Sequence, residues 1–268
     1  MGSAAVKDGP QAKSFKIGVC DWKLGKTADP GSFEFAKKLG LDGVQVSLSP
    51  KDGRITLIDK TLHRKFLAES KKQGVEIISL AIGALNGVPY KSDPRAEKWV
   101  AESIDICKAL NVTNVLLAFF GKGELRGDHE GINEVVKRLK KVAPEAESAG
   151  VVFGLESWLS AWETKDIIDR VGSPSVKMYY DVGNSHKQGY DIYEEIRWLG
   201  TENICEFHAK DYEYLFGSGK VNFPAVRAAM DDIGYRGWIQ IEGKTPLGLE
   251  KSYRRNEQYL RKIFPPRV

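Results

Sequence analysis

Short runs of β-branched and aromatic residues recur along the whole chain, separated by longer segments in which apolar residues repeat every three or four positions. Eight such runs begin at Lys16, Gly43, Glu76, Asn114, Val151, Val176, Ile204 and Trp238. They are nearly continuously hydrophobic rather than alternating, which is typical of parallel strands covered on both faces. The pattern therefore predicts eight strands of one parallel sheet.

The segments between these runs have the periodicity of amphipathic helices. Clear examples span residues 59–72, 94–110, 129–148 and 250–263. Several joints between a helix and the next strand carry a glycine, as in AKKLGLDGVQV and SKKQGVEIISL. Glycine adopts the left-handed conformation that ends a helix at little steric cost. Helices and strands are thus expected to alternate with short connections.

Eight repeated strand–helix units predict a single (β/α)₈ TIM barrel over residues 15–265. The strand starts lie 25 to 38 residues apart, about one unit each, which leaves no segment for a second domain. Right-handed crossovers repeated in this way close a barrel of typically about 250 residues. The competing fold is an open doubly wound sheet, but the first strand–helix turn, CDWKLGK, lacks the GxGxxG fingerprint of that fold.

Composition excludes several functional classes. Of the 268 residues 42% are hydrophobic, yet no window approaches 18 uninterrupted apolar residues, so no transmembrane helix is expected. The net charge of +4 comes from scattered basic residues, which gives nucleic-acid binding little support. The three cysteines, Cys20, Cys107 and Cys205, form no CxxC pair and are expected to be reduced and mostly buried.

The first 14 residues are polar and lack the apolar core of a signal peptide. They are expected to be a flexible N-terminal segment or a cloning remnant, since MGS resembles the short sequence that an expression tag leaves behind. The expected location of the protein is cytoplasmic. The alternative is that the natural protein carried a leader sequence before these residues, which would direct it elsewhere.

Four consecutive predicted strands carry a side chain that can bind a metal at or near their carboxyl ends. These side chains are Glu156 in GLES, Asp181 in YYDVGN, His208 in EFHAKD and Glu242 in IQIEG. The chemistry of a TIM barrel lies at this edge, so the four should converge. Three carboxylates and one imidazole suit one divalent ion, Mn²⁺, Mg²⁺ or Co²⁺, with Zn²⁺ as an alternative. A single acid at a strand end is usually a helix cap or an ion-pair partner, but four in succession favour a metal site.

The motifs LE, DVGN and HAKD, the later stretch NFPAVRAAMDDIGYRGWIQIE and the eight-strand layout resemble the xylose isomerase-like TIM-barrel family over about residues 15–265. Its sugar phosphate isomerase/epimerase branch, with the ketose 3-epimerases and hydroxypyruvate isomerases, is the most similar. The resemblance implies that Glu156, Asp181, His208 and Glu242 bind one divalent metal, with Mn²⁺ the expected ion. It also implies that Glu156 and Glu242 are the catalytic acid–base pair on opposite faces of the substrate.

The chemistry of such a site agrees with this implication. A metal that chelates a carbonyl and a neighbouring hydroxyl makes the intervening C–H group more acidic, because the enediolate charge forms beside the cation. One glutamate can then remove the proton and the other can return one. We therefore expect a metal-dependent isomerase or epimerase of carbohydrate metabolism that acts on a small polyhydroxy keto compound, a sugar or a sugar phosphate.

Two other functional classes remain alternatives, and a third is disfavoured. A lyase or dehydratase acting on a keto-sugar or an inosose could use the same metal site, and the chain could be one subunit of a sugar-processing complex. The endonucleases that share this barrel need more histidines than the four found here. No nucleic-acid or membrane partner is expected. The chain is expected to assemble as a homo-oligomer.

The predicted substrate contacts lie where the chain departs from the family pattern. Many relatives have a histidine at the position of Asn184 and a glutamate at the position of Gln45. The predicted substrate-binding residues are Trp22, Trp158, Asn184, His186 and Lys210. The two tryptophans would form apolar walls against a sugar ring, and Lys210 should face the same side of its strand as His208, two residues earlier.

Overall fold

Eight parallel strands close into a barrel in the computed structural model, which describes residues 14–51 and 53–266. The strands are β1 (Lys16–Cys20), β2 (Gly43–Ser47), β3 (Glu76–Ile82), β4 (Asn114–Phe119), β5 (Val152–Ser157), β6 (Val176–Asp181), β7 (Ile204–Ala209) and β8 (Trp238–Ile241). Each strand pairs with its predecessor in the chain, and β1 pairs with β8 to close the barrel. The predicted (β/α)₈ barrel is confirmed. The predicted N-terminal segment falls outside the described residues apart from Ser14.

Helices cover the outside of the barrel. They are α1 (Gly31–Leu39), α2 (Lys60–Gln73), α3 (Pro94–Leu110), α4 (His129–Ala149), α5 (Ala161–Val171), α6 (Val182–Lys187), α7 (Ile192–Asn203), α8 (Phe223–Asp232) and α9 (Leu249–Ile263). The four helices predicted from periodicity are observed to within one residue at each end. Gly40 and Gly74 end α1 and α2 with φ of 82° and 64°, the left-handed conformation that their positions predict.

Two short features were not predicted. The helix α6 follows β6 directly, and a small antiparallel pair, Pro50–Lys51 with Arg54–Ile55, follows β2. Both are too short to produce a periodic pattern of apolar residues. None of the helices in the described part of the chain combines the length and the apolar character that a membrane span requires.

The interior of the barrel contains a polar network beneath its C-terminal mouth. Glu206, in β7, is buried, and its Oε2 atom accepts hydrogen bonds from the Ser79 and Tyr179 hydroxyls at 2.8 Å. The side-chain amide of Gln240 also donates to Oε2, at 2.6 Å, and that of Asn114 donates to Oε1, at 2.7 Å. A buried carboxylate needs such partners because it has lost its hydration. We call this network the polar floor, because it lies under the residues at the mouth.

Candidate metal and active site

The four predicted metal ligands converge at the C-terminal mouth of the barrel. One ligand atom from each of Glu156, Asp181, His208 and Glu242 lies within 4.8 Å of the corresponding atoms of the other three. The Nδ1 atom of His208 is 3.1 Å from Glu156 Oε1. The same atom is 4.0 Å from both Asp181 Oδ2 and Glu242 Oε2.

The strand register produces this convergence. Asp181 at the end of β6 pairs in register with His208 in β7, so their side chains leave the barrel at the same height. Glu242 follows β8 directly, and its backbone N–H donates to the carbonyl of Ala209 at 2.9 Å, which continues the ladder by one residue. The four ligands therefore come from four neighbouring strand ends, as the sequence predicts.

Asp181 has one carboxylate oxygen that is satisfied and one that is not. Its Oδ1 atom accepts the backbone N–H groups of Gly183 and Asn184, both at 2.8 Å, and so caps the N-terminus of α6. Its Oδ2 atom is buried and has no hydrogen-bond partner among the described residues, with Lys210 Nζ 3.6 Å away. Burial raises the pKa of Asp181 to about 7. A divalent cation among the four ligands would supply the missing partner, so these residues fit a metal.

Glu242 is surrounded by hydrogen-bond donors and cations. Trp22 Nε1 donates to Oε1 at 3.2 Å, and Lys210 Nζ donates to Oε2 at 2.7 Å. Lys23 Nζ lies 3.7 Å from Oε1. Burial alone would raise the pKa of Glu242, but Lys210, His208 and Lys23 together lower it to about 2. The carboxylate is therefore ionised and held in one orientation.

Glu156 and His208 contact each other directly. The Oε1 atom of Glu156 also accepts the Asn184 side-chain amide at 3.4 Å, and Asn184 in turn accepts the Tyr212 hydroxyl at 3.0 Å. Burial would lower the pKa of His208, but its contacts with Cys20 and Glu156 raise it well above the usual value. A metal that binds Nδ1 therefore competes with a proton for that atom.

A cavity of about 470 Å³ lies at the mouth of the barrel, and two of the four predicted ligands, Glu156 and Glu242, line it. This volume lies within the range of small-molecule sites. Four of the predicted substrate contacts, Trp22, Trp158, Asn184 and Lys210, line it. His186 is not among its lining residues; it lies in α6 and is half-buried outside the cavity. Its predicted role in binding substrate stays a prediction that the geometry does not support.

The cavity also has lining residues that the sequence reasoning missed. Phe120 follows β4 directly and packs edge-on against Trp158 with ring centroids 5.2 Å apart. Asn86 accepts the backbone N–H of Phe120 at 2.9 Å, and Ser47 and Ser49 lie at and just beyond the end of β2. Three of these four stand at a strand end, so the rule that found the metal ligands applies equally to them.

Comparisons with known proteins agree with this fold. The chain is 25% identical over 189 residues to 2-epi-5-epi-valiolone 7-phosphate 2-epimerase of Actinoplanes sp., covering 70% of this chain and 67% of that protein. It is 22% identical to L-ribulose-5-phosphate 3-epimerase of Escherichia coli, covering 78% and 80%. The crystal structure of D-psicose 3-epimerase with D-tagatose from Clostridium cellulolyticum H10 superposes with a TM-score of 0.78 and 18% identity, covering 92% and 99%. Residues 33–263 match the family model described as xylose isomerase-like TIM barrel, and the chain belongs to that family.

Proposed function

We propose that this chain is an epimerase or isomerase of a sugar or sugar phosphate that depends on one divalent metal ion. The observation that carries the proposal is the convergence of Glu156, Asp181, His208 and Glu242, with Asp181 Oδ2 buried and unpartnered among the described residues. The relatives whose names denote epimerases of 2-epi-5-epi-valiolone 7-phosphate and L-ribulose 5-phosphate support the reaction class. Three carboxylates and one imidazole suit Mn²⁺, with Mg²⁺, Co²⁺ and Zn²⁺ as alternatives.

When bound by these four residues, the metal would act as a Lewis acid on the carbonyl and a neighbouring hydroxyl of the substrate. Side chains of the protein would carry out the proton transfers. Glu156 from β5 and Glu242 after β8 stand at the two ends of the four-ligand arc. One removes the proton next to the carbonyl and the other returns a proton to the opposite face. Lys210 helps to keep the Glu242 carboxylate ionised, and the Trp22 and Lys210 hydrogen bonds hold it in place.

The cavity suits a small polyhydroxy keto compound. Trp22, Trp158 and Phe120 offer apolar surfaces to the C–H faces of a sugar, while Asn184 and Lys210 offer polar contacts to its oxygens. The proposed substrate is either a free or a phosphorylated sugar. A cytoplasmic location, assembly as a homo-oligomer and the lack of a nucleic-acid partner are further proposals, which rest on composition and resemblance.

A substrate panel tests the proposal. Free and phosphorylated ketoses, inososes and keto-glycosides would be incubated with the Mn²⁺-loaded protein and with the same protein after chelation. We expect turnover of at least one compound to an isomer or epimer, and loss of that turnover on chelation. Turnover that survives chelation, or no turnover of any polyhydroxy carbonyl compound, would contradict it. An unsaturated product would instead identify a lyase or dehydratase, and activity only with a second protein would identify a complex.

A further inference from the structure

Gln45 lies directly behind the imidazole of His208. It is in the middle of β2, fully buried, and its Oε1 atom is 2.9 Å from His208 Nε2. The Nε2 atom of Gln45 is 2.9 Å from the Tyr179 hydroxyl oxygen and 3.2 Å from Ser79 Oγ. The amide thus connects a predicted metal ligand to the polar floor of the barrel.

This floor determines which end of the amide faces His208. The hydroxyls of Tyr179 and Ser79 both donate to Glu206 Oε2 at 2.8 Å. Each hydroxyl has a single hydrogen, so each can present only lone pairs to Gln45. The NH₂ group of Gln45 must therefore donate to the two hydroxyls, and its carbonyl oxygen must face His208.

The carbonyl oxygen in turn determines the tautomer of His208. A carbonyl only accepts, so the facing Nε2 atom must carry a hydrogen. In a neutral imidazole the lone pair is then on Nδ1, the atom that faces Glu156, Asp181 and Glu242. Cys20 Sγ lies 3.4 Å from His208 Nε2 and 3.5 Å from Gln45 Oε1. Because its one hydrogen is donated to that carbonyl, the sulfur can only accept from Nε2, which agrees with a hydrogen on Nε2.

We propose that Gln45 is a positioning residue for the metal centre, which selects the His208 tautomer with a hydrogen on Nε2 and so directs the Nδ1 lone pair to the metal. Histidines that bind metals generally donate their other N–H to an acceptor that fixes the ring in this way. Gln45 does so without adding a second buried negative charge beside Glu206. The inference rests on the metal site of the proposed function, but it is independent of the substrate and the reaction.

Nitrogen NMR on the unaltered protein gives the direct test. The protein would be labelled with ¹⁵N at its four histidines and loaded with ¹¹³Cd²⁺, with the His208 signals identified by their loss in His208→Asn. We expect scalar coupling between ¹¹³Cd and Nδ1 of His208, and a hydrogen on Nε2. Coupling to Nε2, or no cadmium binding by the unaltered protein, would overturn the inference.

Variants separate positioning from general stability. Gln45→Met removes the acceptor at similar volume and should weaken Cd²⁺ affinity about 10- to 100-fold, the usual range for such partners. Tyr179→Phe keeps Gln45 but removes one of the oxygens that orient its amide, so a smaller loss in the same direction is expected. Both variants should show signals from both His208 tautomers.

Gln240→Met is the matched control. Like Gln45, Gln240 is a fully buried glutamine, and its amide donates directly to Glu206. No hydrogen bond joins it to His208 among the described residues. Its variant should therefore change stability while leaving the His208 signals and the Cd²⁺ affinity as in the unaltered protein. Equal losses in Gln45→Met and Gln240→Met would overturn the inference. Normal Cd²⁺–Nδ1 coupling in a protein that turns over no substrate would contradict the proposed function alone.

Discussion

The four predicted metal ligands have different neighbours, and we expect these neighbours to give each residue a different role. Glu242 is held by Lys210 and Trp22, whereas Glu156 contacts only Asn184 and His208 among the hydrogen-bond partners described. Asp181 caps a helix with one oxygen and offers the other to the site. Variants at the glutamates and at the aspartate should consequently fail in different ways.

Glu156→Gln and Glu242→Gln should each lower turnover by about 10²- to 10⁴-fold, the typical contribution of a general acid or base. Each variant keeps an oxygen that can bind metal but loses the carboxylate that exchanges a proton, so measurable metal should remain. Steady-state kinetics together with elemental analysis would check this. Near-normal turnover in both variants would make the glutamates ligands only, and Lys210 would become the first candidate for proton transfer.

Asp181→Asn should act mainly through the metal. The amide oxygen of asparagine can still cap α6, so the fold should persist, but the charge that would face the cation is lost. We expect weak metal binding in calorimetry and activity that partly recovers at high metal concentration. His63→Ala, a change within α2, should bind metal normally. An Asp181→Asn protein with unchanged metal affinity would exclude Asp181 as a ligand.

Metal affinity should rise with pH. Burial raises the pKa of Asp181 to about 7, and contacts with Cys20 and Glu156 raise that of His208 although burial opposes it. Both groups bind metal only when deprotonated, so protons compete increasingly as the pH falls through about 7. Calorimetry in buffers of different ionisation enthalpy should show proton release on binding, and less release as the pH increases. Affinity that is constant between pH 5 and 8 would contradict this.

Among the secondary-structure elements, the strand ends and their convergence were predictable from the sequence. The hydrogen bonds between side chains of different strands were not. A strand that ends on a carboxylate is visible in the local pattern around Glu156 or Asp181, and a TIM barrel brings such ends together. The orientation of Gln45 depends instead on residues from three other strands, so no local pattern reveals it. The helix α6 also escaped prediction, because its six residues are too few for a periodicity.

The glycine of DVGN is required by close packing between α6 and β7. A Cβ atom at Gly183 would lie 2.7 Å from the backbone oxygen and the Cβ atom of Lys210. Gly183→Ala should therefore push α6 away, weaken the contact between Asn184 and Glu156, and cost about 1–3 kcal/mol of unfolding free energy. Urea unfolding would measure this cost. Gly87→Ala, where a Cβ atom would meet nothing nearer than 3.9 Å, is the control and should be nearly neutral.

In the molecule as a whole, the polar floor inside the barrel is separate from the predicted active site at its mouth. Glu206 and its four donors lie inside the barrel, while the four predicted metal ligands and the cavity lie at its C-terminal end. The periodicity of the chain was enough to predict the barrel, because parallel strands and their covering helices have strong local signals. The lining of the cavity was not predictable to the same degree, since residues such as Phe120 and Asn86 belong to no recognisable motif.

Under the proposed function, this mouth transfers a proton next to a carbonyl with the help of one divalent metal. The most direct measurement is deuterium incorporation, by NMR and mass spectrometry, into a panel of keto-sugars and their phosphates in D₂O. We expect the metal-loaded protein to incorporate one deuterium at the carbon beside the carbonyl of its substrate. This incorporation should stop after chelation and return on adding Mn²⁺. Exchange that is unaffected by chelation, or product formed without any solvent deuterium, would contradict metal-assisted proton transfer at this site.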